Sequence, residues 1–167
     1  PLVLWLVRCL RSSGWRPGII SRGYGGSARQ AQAVGEDSAC SVVGDEPVLL
    51  ARRSGVPVFV GRDRVAAARA LLAAHPDCDL IVSDDGLQHY RLQRSVEVVA
   101  FDGRGTGNGW LLPVGPLREP LRRLSAVSAI VWNGPRDKAL EHAAQRLPQF
   151  DMRLVGRHFV AVSGEQR

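Results

Sequence analysis

Apolar and polar positions fall into blocks along this chain, and the blocks predict alternating helices and strands. Leu2 to Leu10 is apolar on nearly every side, with Arg8 and Arg11 toward its end. It predicts a buried helix that stops near Gly14. Residues 18–21 predict a short strand that runs into the glycine-rich loop 22–26. Residues 27–43 are small and polar and predict an extended loop. Gly44-Asp45-Glu46-Pro47 opens a helix through Arg53: Asp45 or Glu46 can cap it, Pro47 suits the first turn and Gly55 ends it. Val56 to Val60 predicts a strand, and Asp63 starts an alanine-rich helix through Ala74. The apolar run 79–83 predicts a buried strand of a parallel sheet ending in two adjacent carboxylates, Asp84 and Asp85. Val96 to Phe101 predicts another strand, ending at Asp102. A Gly/Pro-rich loop follows over 103–117, then a short helix over 118–124, a strand over 129–132, a helix over 138–146, and one or two strands over 152–162. Strands alternating with helices indicate an α/β fold with a mostly parallel sheet. The pattern places a core domain over 1–148 and the start of a linker or second domain over 149–167.

Composition narrows the function classes. The chain has 167 residues and is 45% hydrophobic, enough for a globular core. No window reaches the ~18 uninterrupted apolar residues of a spanning helix, and no secretory signal is visible. The net charge is +6, almost all of it arginine; Lys138 is the one lysine. Arginine pairs bidentately with phosphate and carboxylate, so an anionic ligand or membrane surface fits. An arginine-biased genome fits equally. The arginines are scattered, without a basic helix or an aromatic stripe, which argues against nucleic acid. Cys9, Cys40 and Cys78 lie apart, odd in number and without histidines at ligand spacing. That argues against a structural zinc or disulfide framework and suits a reducing cytosol.

Four motifs carry the chemistry. Ligands gather beyond the carboxyl ends of parallel strands, and paired carboxylates there suit Mg²⁺, which holds phosphate oxygens. Asp84 is the candidate metal ligand. Asp85 would orient water or a basic partner, and Gln88 and His89 could reach a substrate hydroxyl or phosphate. Strand-end aspartates also cap turns, and a lone histidine is often structural. Gly44-Asp45-Glu46-Pro47 reads either as an ordinary helix start or as the carrier of a general base, Asp45, for an attacking hydroxyl. In Pro116-Leu117-Arg118-Glu119-Pro120, Glu119 is a candidate second metal ligand and Arg118 a candidate for neutralising a transferred phosphoryl group; a surface ion pair is the plain alternative. In Ser21-Arg22-Gly23-Tyr24-Gly25-Gly26, the glycines permit close backbone approach to a ligand, and Arg22 and Tyr24 would project into the site. Gly103 to Gly109 superficially suggests a dinucleotide loop, but Trp110-Leu111-Leu112-Pro113 does not read as the helix it requires.

Taken together, Ser-Arg-Gly-Tyr-Gly-Gly at 21–26, Gly-Asp-Glu-Pro at 44–47, Asp-Asp-Gly-Leu-Gln-His at 84–89 and Gly-Pro-Leu-Arg-Glu-Pro at 115–120 resemble, in order, the tetraacyldisaccharide 4′-kinases of lipid A biosynthesis. The resemblance covers nearly all of residues 1–135. It implies a P-loop-NTPase-like kinase at the cytoplasmic face of the bacterial inner membrane. It implies transfer of the ATP γ-phosphate to the 4′-hydroxyl of a tetraacylated glucosamine disaccharide 1-phosphate. It makes Asp45 the base, Asp84 and Glu119 the Mg²⁺ ligands, and Arg118 a phosphate contact. Asp85, Gln88 and His89 would lie beside the chemistry, with Tyr24 and Arg22 on the substrate side.

The departures carry an expectation of their own. No Gly-x-x-x-x-Gly-Lys-Ser/Thr occurs in the 167 residues. In the family that loop precedes the helix resembling residues 1–13. The chain is therefore expected to be an internal piece that begins just after its phosphate loop, lacks the family's membrane-anchoring helix and C-terminal part, and is inactive alone. Two other readings stay open at this stage: a non-catalytic anion-binding α/β module, and another P-loop enzyme such as a small-molecule kinase or phosphate-ester hydrolase.

Overall fold

In a computed structural model, residues 1–156 are described. They form two compact units, Pro1–Gln93 and a second beginning at Arg94. The first contains α1 (Leu2–Ser12), β1 (Pro17–Ser21), β2 (Gln32–Ala33), α2 (Cys40–Val43), α3 (Asp45–Ser54), β3 (Val58–Val60), α4 (Arg64–Ala74) and β4 (Leu80–Ser83). The second contains β5 (Val98–Asp102), a 3₁₀ turn (Leu121–Ala126), β6 (Ala129–Asn133), α5 (Lys138–Ala143) and β7 (Gln149–Met152).

The sheet of the first unit has the order β2-β3-β1-β4. β1 lies parallel to both β3 and β4, and only β2 runs antiparallel. Side chains alternate across a strand, and here each face finds a helical cover. Ile19, Val58 and Val60 share one cluster with Val7 of α1 and Val48 and Leu50 of α3. Ile20 and Phe59 share the other with Ala67 and Leu71 of α4. A β-carbon on Gly18 would sit 2.7 Å from Leu71 Cδ1, so α4 rides directly on β1 there. Asp63 caps α4: its Oδ1 accepts the N–H groups of Val65 (2.9 Å) and Ala66 (3.4 Å).

Several expected elements take a different form. α1 is one-sided rather than buried all round: Val7 is enclosed while Trp5 is 60% exposed. The stretch 27–43 is not all loop, because β2 and the single turn of α2 interrupt it. β4 is parallel as expected but forms the sheet's edge among the described residues, and it is half-buried along its length. Gly44, not Asp45 or Glu46, occupies the cap position of α3. The helix expected at 118–124 is the 3₁₀ turn, and the one expected at 138–146 is the shorter α5. Of the strands expected over 152–162, β7 ends at Met152, and 157–162 lie outside the described residues. No helix among the described residues is long and apolar enough to cross a membrane.

The second unit is a parallel sheet in the order β5-β6-β7. Trp132 of β6 is fully buried, and its indole N–H donates to Gln149 Oε1 at 2.9 Å. Four charges of alternating sign tie the start of β5 to the 3₁₀ turn. Arg94 meets Glu97 at 2.8 Å, Glu97 meets Arg123 at 2.5 Å, and Arg123 meets Glu119 at 3.3 Å.

Candidate active site

Three of the four motifs converge at the carboxyl end of β1. Ser21 ends that strand, and the loop 22–26 turns back over the start of α3. Ser27 and Ala28 N–H donate to the carbonyls of Ser41 (3.0 Å) and Val42 (2.9 Å). The approach is backbone on backbone: a β-carbon on Gly44 would lie 2.6 Å from the Tyr24 carbonyl, and one on Gly23 2.9 Å from the Val43 carbonyl. Gly23 and Gly44 also have φ of +72° and +89°, a region costly for residues with a β-carbon. On the other side, Asp84 N–H donates to the Ile20 carbonyl at 2.9 Å, extending the β1–β4 ladder by one step. Asp85 then takes φ +46°, a left-handed turn that aspartate tolerates better than most residues.

The result is an acidic cluster. Burial first, then the charges of Asp84, Asp45 and Asp85, push the Glu46 carboxyl above the ordinary glutamate range. Burial first, then Asp85, push Asp84 up in the same direction. Pro1, at the start of α1, lies close enough to this cluster to influence both groups. Carboxylates crowded at one end of the sheet in this way would gain from a cation. Among the described residues no three carboxylate, histidine or cysteine side chains form a ready-made metal cage. Mg²⁺ ordinarily takes only one or two protein carboxylates, with phosphate oxygens and water completing the shell.

Of the residues singled out from sequence, Asp45, Asp84 and Asp85 sit in this cluster, and Arg22 is close enough to influence Arg64. Tyr24 is 83% exposed on the glycine-rich loop. Gln88 is exposed in the turn after β4. His89 occupies a helix-capping position: its Nε2 accepts the Arg64 N–H at 3.3 Å and lies 3.7 Å from Asp63 Oδ1. Arg118 and Glu119 belong to the second unit, where the Glu119 carboxylate meets Arg123.

Arg64 is the residue that sequence reasoning missed. It is 3% exposed, and it donates to the Gly61 carbonyl at 3.0 Å and the Asp84 carbonyl at 3.2 Å. It thereby pins the ends of β3 and β4 together beneath the acidic pair. Burial pushes its pKa down, Asp85 and Asp84 push it up and Arg22 pushes it down; an arginine stays charged throughout. Among the described residues its Nε has no hydrogen-bond partner, and neither does Ser83 Oγ. The one sequence signal was an arginine directly after a capping aspartate, in a position that usually faces water. Arg64→Met leaves two carbonyls without their donor and is expected to cost about 2–3 kcal/mol in urea unfolding. A loss under about 0.5 kcal/mol, the range of a surface substitution, would contradict the pinning role.

Comparison with known proteins agrees with this geometry. The family model described as tetraacyldisaccharide-1-P 4′-kinase matches residues 1–167. A tetraacyldisaccharide 4′-kinase of Dechloromonas aromatica (strain RCB) is 58% identical over 154 residues, 92% of this chain and 45% of its own length. One of Azoarcus sp. (strain BH72) is 54% identical over 167 residues, 100% of this chain and 48% of its own. A crystal structure of LpxK from Aquifex aeolicus in complex with ATP matches with a TM-score of 0.74 and 26% identity, over 90% of this chain and 48% of that one. The chain thus spans about half the length of the curated relatives it matches. Fold, ordered motifs and sequence identity agree: the chain belongs to the tetraacyldisaccharide-1-P 4′-kinase family.

Proposed function

We propose that the protein containing this chain transfers the γ-phosphate of ATP to the 4′-hydroxyl of a tetraacylated glucosamine disaccharide 1-phosphate. The carrying observation is the cluster of Asp45, Glu46, Asp84 and Asp85 at the carboxyl ends of β1 and β4. Family membership supplies the reaction class. Asp45, the first residue of α3, accepts the proton of the attacking hydroxyl. It is exposed, and its Oδ1 is held by the Glu46 N–H at 2.8 Å. Asp84, destabilised as a half-buried anion beside Asp85, fits a divalent cation and would hold Mg²⁺. Bound there, Mg²⁺ would offset the charge on the ATP phosphates. Arg64 keeps Asp84 and its turn in place from below. The glycine-rich loop would present Arg22 and the exposed Tyr24 to the disaccharide. Positioning and electrostatics carry the rate, with no covalent step on the enzyme.

An acylated acceptor with ATP as donor supports a working site at the cytoplasmic face of the inner membrane. The 167 residues alone contain no Gly-x-x-x-x-Gly-Lys-Ser/Thr, and we expect them to transfer no phosphate unaided. The test is therefore made on the whole protein, with γ-labelled ATP, Mg²⁺ and the tetraacyldisaccharide 1-phosphate. Label on the 4′-oxygen, lost on chelation, is the expected result. Absence of transfer to the lipid, or transfer only to water, would overturn the assignment.

A further inference from the structure

The loop between β5 and the 3₁₀ turn presents an apolar run that nothing in the proposed chemistry uses. Trp110 is 65% exposed, Leu111 44%, Leu112 61% and Val114 69%, and Pro113 between them is exposed too. Single exposed apolar residues are ordinary, but five in succession are not.

The run is also held in shape. Leu112 N–H donates to the Leu117 carbonyl at 2.8 Å, and Leu117 N–H returns a bond to the Trp110 carbonyl at 3.1 Å. Val114 and Gly115 N–H both donate to the Leu111 carbonyl at 3.0 Å. Asn108 closes the base: its Nδ2 donates to the Val114 carbonyl at 3.0 Å, and its Oδ1 accepts the Trp110 N–H at 3.1 Å. A β-carbon on Gly115 would collide with Asn108 Oδ1 and the Trp110 carbonyl, so the closure depends on glycine there. Pro113 and Pro116 have no N–H to place. Leu117, 8% exposed, roots the loop in its unit. Most of the loop's N–H groups are therefore satisfied without water, which is what entry into a lipid interface requires.

Charge selects the occupant. Around the loop, Asp102 pairs with Arg104 and Glu119 with Arg123, and Arg118 and Arg122 add two further positive charges. A second copy of the loop would set arginine against arginine, whereas an anionic headgroup layer complements them. Tryptophan favours the boundary between headgroups and acyl chains.

We infer that the Trp110–Val114 loop docks on an anionic lipid bilayer, with Trp110, Leu112 and Val114 entering the interface. This deepens the lipid-kinase reading by naming a surface that reaches the membrane. It rests on that reading only for the identity of the lipid acceptor.

The test is co-sedimentation of the chain with phosphatidylglycerol or phosphatidylcholine vesicles, without ATP, alongside tryptophan quenching by brominated acyl chains. Expected are salt-sensitive binding to phosphatidylglycerol over phosphatidylcholine and quenching that W110F reduces. The W110S/L112S double variant is expected to weaken binding about tenfold, and W5S to leave it unchanged. Equal binding to both lipids, undiminished binding by the double variant, or quenching unaffected by W110F would each overturn the inference. Because no nucleotide is present, failure here leaves the phosphotransfer assay untouched, and failure of that assay leaves this result standing.

Discussion

Asp45→Asn in the whole protein is expected to lower kcat by about 10²–10⁴-fold, the usual contribution of a general base. The change keeps the side chain's size and its hydrogen bond from the Glu46 N–H, so the start of α3 should hold its shape. It removes only the proton acceptor. ATP affinity should therefore stay within about threefold of the parent, since the base meets the acceptor hydroxyl and not the nucleotide. Single-turnover kinetics with saturating lipid would separate the two effects. Equal losses in ATP binding and in rate would remove Asp45 from the role of base. Glu46, one residue on, is a poor substitute in this geometry. Its carboxyl is pushed up by burial and three neighbouring carboxylates, and it lies on the next helical position, turned ~100° away.

Asp84→Asn is expected to separate stability from activity. Asp84 binds its proton more tightly in the folded chain than in the unfolded one, because burial and Asp85 both disfavour its anion. The destabilisation is absent below the ordinary aspartate value of 3.8. It grows as pH rises through the raised folded value and is complete at neutral pH. Asparagine removes it. Without divalent cation the variant should melt above the parent at pH 7, by about 3 °C in a chain of this size, and the two should converge in acid. Mg²⁺ with ATP should raise the parent's Tm in the whole protein by mass action and leave the variant's nearly unchanged, while phosphotransfer falls by roughly 10²-fold or more. A variant that melts lower without cation, or responds to Mg²⁺ as the parent does, would contradict the assignment.

Local rules made much of this legible from the chain. Asp63 before an alanine-rich stretch announced α4 and its cap, because capping is a short-range hydrogen bond. Gly55 announced the end of α3, and it takes the left-handed φ of +63° found there. Asp84-Asp85 after an apolar run placed the acidic pair at a strand's carboxyl end. What escaped depends on contacts between distant segments. Arg64 reads as a surface arginine until the ends of β3 and β4 are brought over it. The glycines of 22–26 suggested room for a ligand; two of them instead make room for the chain itself, at 42–44. Apolar residues around α1 suggested full burial, whereas one side of the helix packs and Trp5 does not.

The contact between Gly23 and Gly44 has a consequence for inheritance. The two segments touch through main-chain atoms, with no side chain between them to absorb a change. A chimera that takes its helix start from one relative and its glycine loop from another works only if both parents keep glycine at both places. A β-carbon on either side strikes a backbone carbonyl of the other segment, that of Tyr24 in the loop or of Val43 at the end of α2. The loop and the base-bearing turn are one unit of exchange, although twenty residues of chain separate Gly23 from Gly44.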